Sequence, residues 1–402
     1  MDPTGQQARP YPFGEIDRLE LHPEYSRLRD EGKPVRVLMP YGGQAWLVVT
    51  YHDVKTVLSD KRFSLAATFN RDVPRLFPLV QDQPSLVLMD PPEHTRLRKL
   101  VAGAFTNRRI EQLRPRIQQI VDDLLDRMVA KGQPADLIAD FGFPLPITVI
   151  CEMLGIPVED RRRFRGWSDT VLALTSCPPD DIAAAIKALK AYFAELVASR
   201  REKPTNDLFG TLVKVRDEGD GLSEEELVVF AGTLLVAGHE TTANLIGNSL
   251  YTLITHPDQF DRLKSDPTVL PAAIEELLRF IPARASVSRS KIAVEDVELS
   301  GVLIRAGDSV VAHLASANRD KTVFDRPDEL DLARQVNPHV TFGPGIHHCL
   351  GAQLTRLELQ VALGSLLKRL PNPRFAVPVE DVEASFKRGH LLRGLTSLPI
   401  AW

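Results

Sequence analysis

One stretch of the 402-residue chain, TFGPGIHHCLG from Thr341 to Gly351, constrains fold and chemistry more than any other. Its glycines, Gly343 and Gly345, allow the backbone to turn with positive φ and to approach a flat ligand closely. Apolar residues recur at helical spacing over 350–370, so a helix is predicted to begin just after Cys349. The free N–H groups of a helix N-terminus stabilise a thiolate. A thiolate presented on such a loop suits the iron of a haem.

The alternative role for Cys349 is structural, because a free cysteine is more often a small buried hydrophobic residue than a ligand. The complete pattern argues against that alternative. It matches FGxGxHxCxG, which resembles the haem-ligand loop of the cytochrome P-450 superfamily. The resemblance implies that Cys349 is the ligand of haem b iron and that Phe342 shields the thiolate. It also implies that Gly343, His347 and Gly351 contact the haem.

The composition narrows the possible functions. Lys and Arg number 49 and Asp and Glu number 53, a net charge of −4 that gives no indication of a nucleic-acid partner. The apolar fraction of 44% is sufficient for a large core. Three widely spaced cysteines, Cys151, Cys177 and Cys349, are not a disulfide framework and are typical of a reducing cytosol. The N-terminal sequence has no apolar stretch that could span a bilayer, so we expect a cytoplasmic protein without a membrane anchor.

The longest helical pattern begins at a capping box formed by Ser223 and Glu226 and runs to about His256. Its centre, residues 237–242, has the sequence AGHETT. Glycine inside a helix costs ~1 kcal/mol relative to alanine, and threonine hydroxyls compete for backbone carbonyls. The alternatives are a tolerated local defect and a groove where a small molecule meets backbone and hydroxyl.

The same six residues resemble the [A/G]Gx[D/E]T motif with which the superfamily binds dioxygen over the haem. The resemblance places Ala237 and Gly238 beside the cofactor, with Gly238 leaving room for O₂. It also implies that the Thr241 hydroxyl helps to deliver protons during oxygen activation and that Glu240 relays them from solvent.

Two basic residues are predicted to bind a haem propionate. His94 and Arg98 are four residues apart in a helix predicted from Asp90, its cap, to about Phe105, so they share one face. Such a pair alone would usually consist of polar side chains on the solvated surface of a helix. Here it resembles the superfamily's HxxxR pair, whose two donors bind a propionate.

The second propionate ligand is open between Arg289 and Lys291. Counting forward from Arg279 selects Arg289, and counting back from the strand at 295–298 selects Lys291. Residues two apart on a strand lie on the same face, so either could reach. Arg289 is preferred, because a guanidinium binds a carboxylate in a bidentate manner.

Glu276 and Arg279 form an ExxR pair on one helical face. Exposed Glu–Arg pairs are common and contribute little, but this one resembles the superfamily's buried pair behind the haem. The arginine that often joins the pair comes from a P-x-R-F string. Residues 327–330 read PDEL instead, so Arg334 is the nearest alternative.

The predicted fold class is mainly α with a small β region, as in cytochromes P-450, in one domain over residues 1–402. In the first part of the chain the sequence predicts an extended arm at 1–20, helices at 22–32 and 53–59 on either side of a hairpin around Tyr41, and a loop at 60–89 that forms a wall of the substrate pocket. In the middle it predicts a break at Ser176–Asp181, which resembles the superfamily's lid turn, and a charged loop that ends at Gly221. Near the end it predicts a hairpin turn at Ala306–Asp308 and a hairpin tip at His390–Gly394.

The resemblance implies a monomeric monooxygenase that inserts one atom of O₂ into an apolar organic substrate. The soluble bacterial branch suggests a secondary metabolite, such as a polyketide, macrolide, peptide or terpenoid, and hydroxylation or epoxidation. Since no flavin or iron–sulfur segment is recognised, we expect electrons from a ferredoxin and an NAD(P)H-dependent ferredoxin reductase. The predicted docking face is basic and comprises Arg96, Lys99, Arg108, Arg109 and Arg356.

Two other classes of haem protein are alternatives. Haem-thiolate enzymes that use peroxide or rearrange a substrate generally lack the acid–alcohol pair, whereas Glu240 and Thr241 are both present here. A non-catalytic haem sensor does not need such a pair. Arg284 and Arg393 are candidates for contact with a substrate carboxylate, with surface or propionate roles as the alternatives.

Overall fold

The computed structural model describes residues 8–14, 18–80, 85–205, 207–217, 222–284 and 287–402. Parts of the predicted N-terminal arm (1–7 and 15–17), of the pocket-wall loop (81–84) and of the charged loop (218–221) lie outside the described residues. The described chain is mainly helical with a small amount of sheet, which confirms the predicted fold class.

The helices of the described chain are α1 (Pro23–Glu31), α2 (Tyr51–Ser59), α3 (Glu93–Ala102), α4 (Asn107–Gln112), α5 (Arg114–Lys131), α6 (Pro144–Leu154), α7 (Arg161–Val171), α8 (Pro179–Glu202), α9 (Leu208–Asp217), α10 (Glu224–Thr255), α11 (Pro257–Ser265), α12 (Leu270–Phe280), α13 (Leu314–Ala317), α14 (Ala352–Arg369) and α15 (Val379–Ala384). Its strands are β1 (Arg9–Pro10), β2 (Val35–Leu38), β3 (Gln44–Val48), β4 (Phe63–Ser64), β5 (Ala135–Asp136), β6 (Lys291–Ala293), β7 (Val297–Leu299), β8 (Val302–Ile304), β9 (Ser309–Ala312), β10 (Arg374–Phe375) and β11 (Pro399–Ala401).

The chain forms two compact units, each assembled from three segments. Unit 1 comprises Met1–His94, Leu278–Glu329 and Val336–Cys349, and unit 2 comprises Thr95–Leu277, Leu330–Gln335 and Leu350–Trp402.

Unit 1 is built on a six-stranded sheet with the order β1-β2-β3-β9-β6-β4. Strands β2 and β3 form the predicted hairpin, because Gly42 and Gly43 turn the chain with φ of 72° and 91°. A side chain at Gly42 would lie 2.0 Å from the Val73 carbonyl oxygen, so only glycine fits there. Successive residues of β3 point to opposite faces, and Trp46 and Leu47 accordingly enter two separate hydrophobic clusters.

The predicted hairpin turn at Ala306–Asp308 is wrong. Strand β8 pairs with β7 in a separate two-stranded sheet, whereas β9 pairs with β3 and β6. The turn therefore passes from one sheet to the other, and Gly307 donates its N–H to the Ala293 carbonyl at 2.7 Å. The hairpin of this region lies at Ser300 and Gly301, whose φ angles are 46° and 77°.

At the predicted cap of α3 the Asp90 carbonyl accepts the His94 N–H at 2.9 Å, but the Asp90 side chain does not cap the helix. The helix begins at Glu93, but the Asp90 carboxylate binds the Ser64 hydroxyl and the backbone N–H groups of Leu65 and Ala66. Asp90 therefore holds the segment after β4 in place. The Asp90 side chain therefore makes a long-range contact instead of the local N-cap contact that aspartate prefers.

Unit 2 is organised around α10, which packs against α6, α8 and α14. The predicted capping box is present: the Ser223 hydroxyl accepts from the Glu226 N–H at 3.1 Å, and the Glu226 carboxylate accepts from the Ser223 N–H at 2.7 Å. A three-stranded sheet with the order β10-β11-β5 completes the unit. None of the described helices is both long enough and apolar enough to cross a lipid bilayer.

The two buried charged side chains of α12, Glu276 and Arg279, each bind groups of their own unit. In unit 2, Glu276 accepts from Arg334 Nε at 3.0 Å and from the Asp331 N–H at 2.9 Å, and both side chains of the pair are buried. Arg334 therefore takes the place that the PDEL string left open. In unit 1, Arg279 donates to backbone carbonyls, including those of Asn318 and Glu329 at 2.9 and 3.0 Å.

Candidate functional site

The glycine-rich loop has the predicted geometry. Gly343 and Gly345 have φ of 69° and 79°, which side-chain-bearing residues rarely adopt. The Cys349 N–H donates to the Phe342 carbonyl at 2.8 Å and closes the loop. A side chain at Gly345 would lie 2.9 Å from the Ser59 Cα, so the absence of one lets the loop pack on the end of α2.

The loop is anchored to the interior of unit 1 by a polar network. The Thr341 hydroxyl donates to the Leu278 carbonyl at 2.7 Å and accepts from the Asn318 amide at 2.9 Å. The same Asn318 accepts from the Val340 N–H at 2.8 Å. The start of the loop is therefore held by three hydrogen bonds, while Cys349 at its end is exposed.

The three cysteines differ in what they can do chemically. Cys349 is exposed on the loop, whereas Cys151 is buried in α6. Burial raises the pKa of the Cys151 thiol to about 12, so it stays protonated and cannot serve as a thiolate ligand. Among the described residues no group of three or more His, Cys, Asp or Glu side chains could hold a metal ion.

Unit 1 brings together several of the predicted haem contacts. The rings of His94 and His347 lie 4.4 Å apart between centroids, although 253 positions separate them in sequence. Arg289 is accessible to solvent, yet desolvation by the surrounding protein lowers the pKa of its guanidinium.

Lys291 has a different environment from Arg289. It is buried, and its Nζ donates to the Leu58 carbonyl at 3.4 Å. Burial lowers its pKa to about 8, and the nearby carboxylates of Asp90 and Asp60 oppose that shift. Its charge is therefore directed toward groups of unit 1 itself.

Unit 2 holds the remaining predicted site residues, in and around α10 and α14. Ala237 is exposed and Thr241 is partly exposed in the middle of α10, where the residues that follow Thr241 are buried. The Thr241 hydroxyl donates to the Ala237 carbonyl one turn back at 2.9 Å. Gly351 lies at the N-terminus of α14, with open space where a side chain would be, and Arg98 is half-buried in α3.

Gly238 has a packing role that the sequence did not reveal. A side chain at this position would lie 2.9 Å from the side chain of Ile150 in α6. The glycine therefore lets α6 approach α10 closely. That it also leaves room for dioxygen stays a prediction.

Glu240 is the centre of a buried charged network. Its side chain is 2% exposed, and it accepts from Lys387 Nζ at 3.3 Å and lies 3.5 Å from His239 Nε2. Burial alone would raise its pKa, but the proximity of His239 and the charge of Lys387 lower it to about 2. The carboxylate is therefore ionised at neutral pH.

Lys387 connects Glu240 to the surface. Its Nζ also lies 3.3 Å from Asp169 in α7, whose side chain is 43% exposed. The chain Asp169–Lys387–Glu240 thus leads from solvent to the interior of unit 2. Sequence reasoning missed Lys387 and Asp169, because the lysine is 147 positions from Glu240 and nothing local marks it.

The predicted hairpin tip positions this lysine. Phe386 pairs with Leu395, and the Lys387 N–H donates to the Gly394 carbonyl at 2.8 Å. The Asn248 amide of α10 donates to the Arg393 carbonyl at 3.0 Å and fastens the tip to the helix.

A second buried acid, Glu358 in α14, was also missed. It is 1% exposed, and burial raises its pKa well above the ordinary value. It lies one turn after Thr355, whose hydroxyl is 3.4 Å from that of Thr242. The available signal was its spacing, four residues after Leu354 and four before Ala362 on the apolar face of the helix.

This chain is similar to known proteins over nearly its whole length. The sequence model of the cytochrome P450 family matches residues 12–165 and 180–393. A nocardicin C N-oxygenase from Nocardia uniformis subsp. tsuyamanensis is 50% identical over 99% of this chain and all of its own. A mycinamicin IV hydroxylase/epoxidase from Micromonospora griseorubida is 45% identical over the same shares. The crystal structure of HinD with NMFT and NO is 49% identical, has a TM-score of 0.96, and covers 99% of this chain and 100% of that one.

The Glu240–Lys387 contact predicts a pH-dependent stability. Lys387→Met would leave a buried carboxylate without its counter-ion, so we expect the free energy of unfolding near neutral pH to fall by about 3 kcal/mol. The parent Glu240, with a pKa of about 2, stabilises the fold above the unfolded pKa of roughly 4.3, and this stability is lost as pH falls toward 2. In the variant the pKa rises, so the deficit should shrink as the pH is lowered and the acid takes up a proton.

Urea unfolding followed by circular dichroism over about pH 5 to 8 measures this deficit. The double variant Glu240→Gln/Lys387→Met should recover most of the loss, and Lys187→Met on exposed α8 surface should change little. A deficit that does not vary with pH, together with additive losses in the double variant, would contradict the assignment.

Proposed function

Because this chain belongs to the cytochrome P450 family and is therefore a haem-containing monooxygenase, we propose that it hydroxylates or epoxidises an apolar intermediate of secondary metabolism. The observation that carries the proposal is the exposed Cys349 on a loop closed by the Phe342 carbonyl. The relatives named for nocardicin C and mycinamicin IV support the substrate class. The whole chain, residues 1–402, would act as one catalytic domain and as a monomer.

The residues of unit 1 fit a haem. Cys349 would hold the iron as a thiolate, with Phe342, Gly343 and His347 against the macrocycle. His94 and Arg289 would bind propionates. In unit 2, Arg98 is predicted to bind a propionate and Gly351 is predicted to contact the cofactor. The preference for Arg289 over Lys291 rests on their environments, since Lys291 is buried and directed at the Leu58 carbonyl whereas the Arg289 side chain is accessible to solvent. When bound, haem supplies the activation of dioxygen, which side chains alone cannot perform.

The residues of unit 2 fit proton delivery. The Thr241 hydroxyl gives its hydrogen to the Ala237 carbonyl, which leaves its oxygen free to accept a hydrogen bond in the groove. Lys387 binds both Glu240 and Asp169, and Asp169 is open to solvent, so these side chains would line a polar path from solvent toward the centre of α10. Lys387 would keep Glu240 ionised, and the carboxylate would accept hydrogen bonds from the groups that bring protons to Thr241, the next hydroxyl along the helix.

We propose a ferredoxin, reduced by an NAD(P)H-dependent reductase, as the electron donor. Of the five predicted docking residues, Arg96 is paired with Glu226, and Arg356 is paired with Glu275 at 2.7 Å. Lys99, Arg108 and Arg109 are exposed. These three cations therefore carry the proposal, since an acidic partner is attracted by charges that are open to solvent.

The ligand assignment predicts a spectrum. Reduced protein with carbon monoxide should show the absorption band of thiolate-ligated haem, and Cys349→Ala should abolish it. Cys151→Ala and Cys177→Ala are matched controls that should retain it. A wild-type spectrum typical of histidine-ligated haem would end the proposal.

The acid–alcohol pair predicts a change in coupling. Thr241→Ala should leave haem content and substrate affinity nearly unchanged, but product formed per NAD(P)H oxidised should fall about tenfold, because proton delivery by a positioned group contributes at least that much. The missing equivalents should appear as hydrogen peroxide. Glu240→Gln should instead slow turnover and enlarge the solvent isotope effect.

Thr233→Ala is a control for the helix itself, because the Thr233 hydroxyl makes the same bond to the carbonyl one turn back, at 2.8 Å to Val229. Equal coupling in wild type, Thr233→Ala and Thr241→Ala would exclude Thr241 as the proton-delivery group.

The docking proposal predicts a salt-sensitive KM. Arg108→Glu/Arg109→Glu should raise the KM for ferredoxin several-fold at low salt, and the difference should diminish as salt screens the charges. Substrate binding should not change. Lys187→Glu, an exposed reversal on α8, is the matched control. An unchanged KM in the double reversal would place the docking face elsewhere.

A further inference from the structure

The segment Arg284–Lys291 carries three cations and no acidic residue. Ile281 before it and Val287 within it are 2% and 1% exposed, and desolvation by the surrounding protein lowers the pKa of all three cations. Buried cations are costly unless an anion or several acceptors compensate them. Each of the three cations, Arg284, Arg289 and Lys291, therefore needs a partner.

Two of the three cations are accounted for. Lys291 donates to the Leu58 carbonyl and has the carboxylates of Asp60 and Asp90 nearby. Arg289 is assigned to a haem propionate, and at this point the argument rests on the proposed function. His94 and Arg98 would serve the propionates as well, so the proposed haem does not require Arg284 as a further cation.

Arg284 is the cation that remains. Its Nε is fully buried and has no hydrogen-bond partner among the described residues. The part of the chain that the structure describes also offers it no ion pair, and the charged group that influences it is Arg289, which repels it. Burial lowers its pKa to about 10, so it is still a cation at neutral pH.

The rest of the Arg284 side chain is open to a ligand. The side chain is partly exposed, and its two terminal nitrogens are accessible while its Nε is buried. A guanidinium presents its donors in a planar fork that matches a carboxylate. An arginine held by the interior, with its fork uncovered and no acid beside it, is arranged to receive an anion from outside the chain.

We propose that Arg284 is the anchor for a carboxylate of the substrate, so that this enzyme acts on otherwise apolar molecules that carry a carboxylic acid. The acid pairs with the fork of Arg284, and the apolar remainder extends away from it. An ester or amide of the same molecule lacks the negative charge and leaves Arg284 uncompensated, so it binds more weakly.

The test uses haem-loaded enzyme and matched pairs of acids and methyl esters: cinnamic acid, dodecanoic acid and N-acetyltryptophan, each with its methyl ester. Dissociation constants are measured from the shift of the haem spin state on titration. At least one acid should bind about tenfold more tightly than its ester, a difference of about 1.4 kcal/mol. Arg284→Gln should remove that preference by weakening the acid alone, and Arg284→Lys should keep part of it. Arg305→Gln, an exposed arginine of the same unit, should keep all of it.

Three outcomes would overturn the proposal. One is that acids and esters bind alike in the wild type, including the case in which none of them shifts the spin state. Another is that the acid preference survives in Arg284→Gln. The third is that Arg284→Gln loses haem while acids and esters lose affinity equally, which would make Arg284 a propionate ligand. The carbon monoxide spectrum separates these results from failure of the proposed function, since a thiolate band shows that the haem site itself is intact.

Discussion

One hydrogen bond, from the Cys349 N–H to the Phe342 carbonyl, holds the thiol at the end of a loop that few sequences could form. It can close only because Gly343 and Gly345 adopt positive φ. The loop must also rest on α2, and the missing side chain of Gly345 permits that contact. Anchoring by Thr341 and Asn318 then ties this geometry to the interior of unit 1. The chemistry of Cys349 therefore depends on a backbone conformation that the whole unit stabilises.

In unit 2 the corresponding constraint is a charged side chain that is buried inside a helix bundle. The carboxylate of Glu240 is almost fully buried and stays ionised only because Lys387 and His239 face it. Lys387 in turn is held by a hairpin that Asn248 fastens to α10. Lys387 joins this buried carboxylate to the exposed Asp169, which gives unit 2 a polar connection between its interior and solvent.

The cations of unit 1 also indicate a site at which ligands bind. Arg284, Arg289 and Lys291 place three cations in one acid-free segment; the carboxylates of Asp60 and Asp90 lie near Lys291, whereas Arg284 has no ion pair among the described residues. An excess of cations over nearby acids is expected where bound ligands supply the anions. A haem brings two carboxylates, and a substrate acid would bring the third.

The sequence by itself determined the features that local rules control: the glycine turn before Cys349, the capping box of α10, the helix after the loop and the hairpin at Gly42. Each depends on residues within a few positions of one another, so spacing and residue type suffice to predict it. Only the tertiary structure decided which distant groups meet. It directed Asp90 to the segment after β4, separated β8 from β9, set Gly238 against Ile150 and brought Lys387 to Glu240. The physical reason is that such contacts depend on how whole elements pack, and no local preference of the residues involved records it.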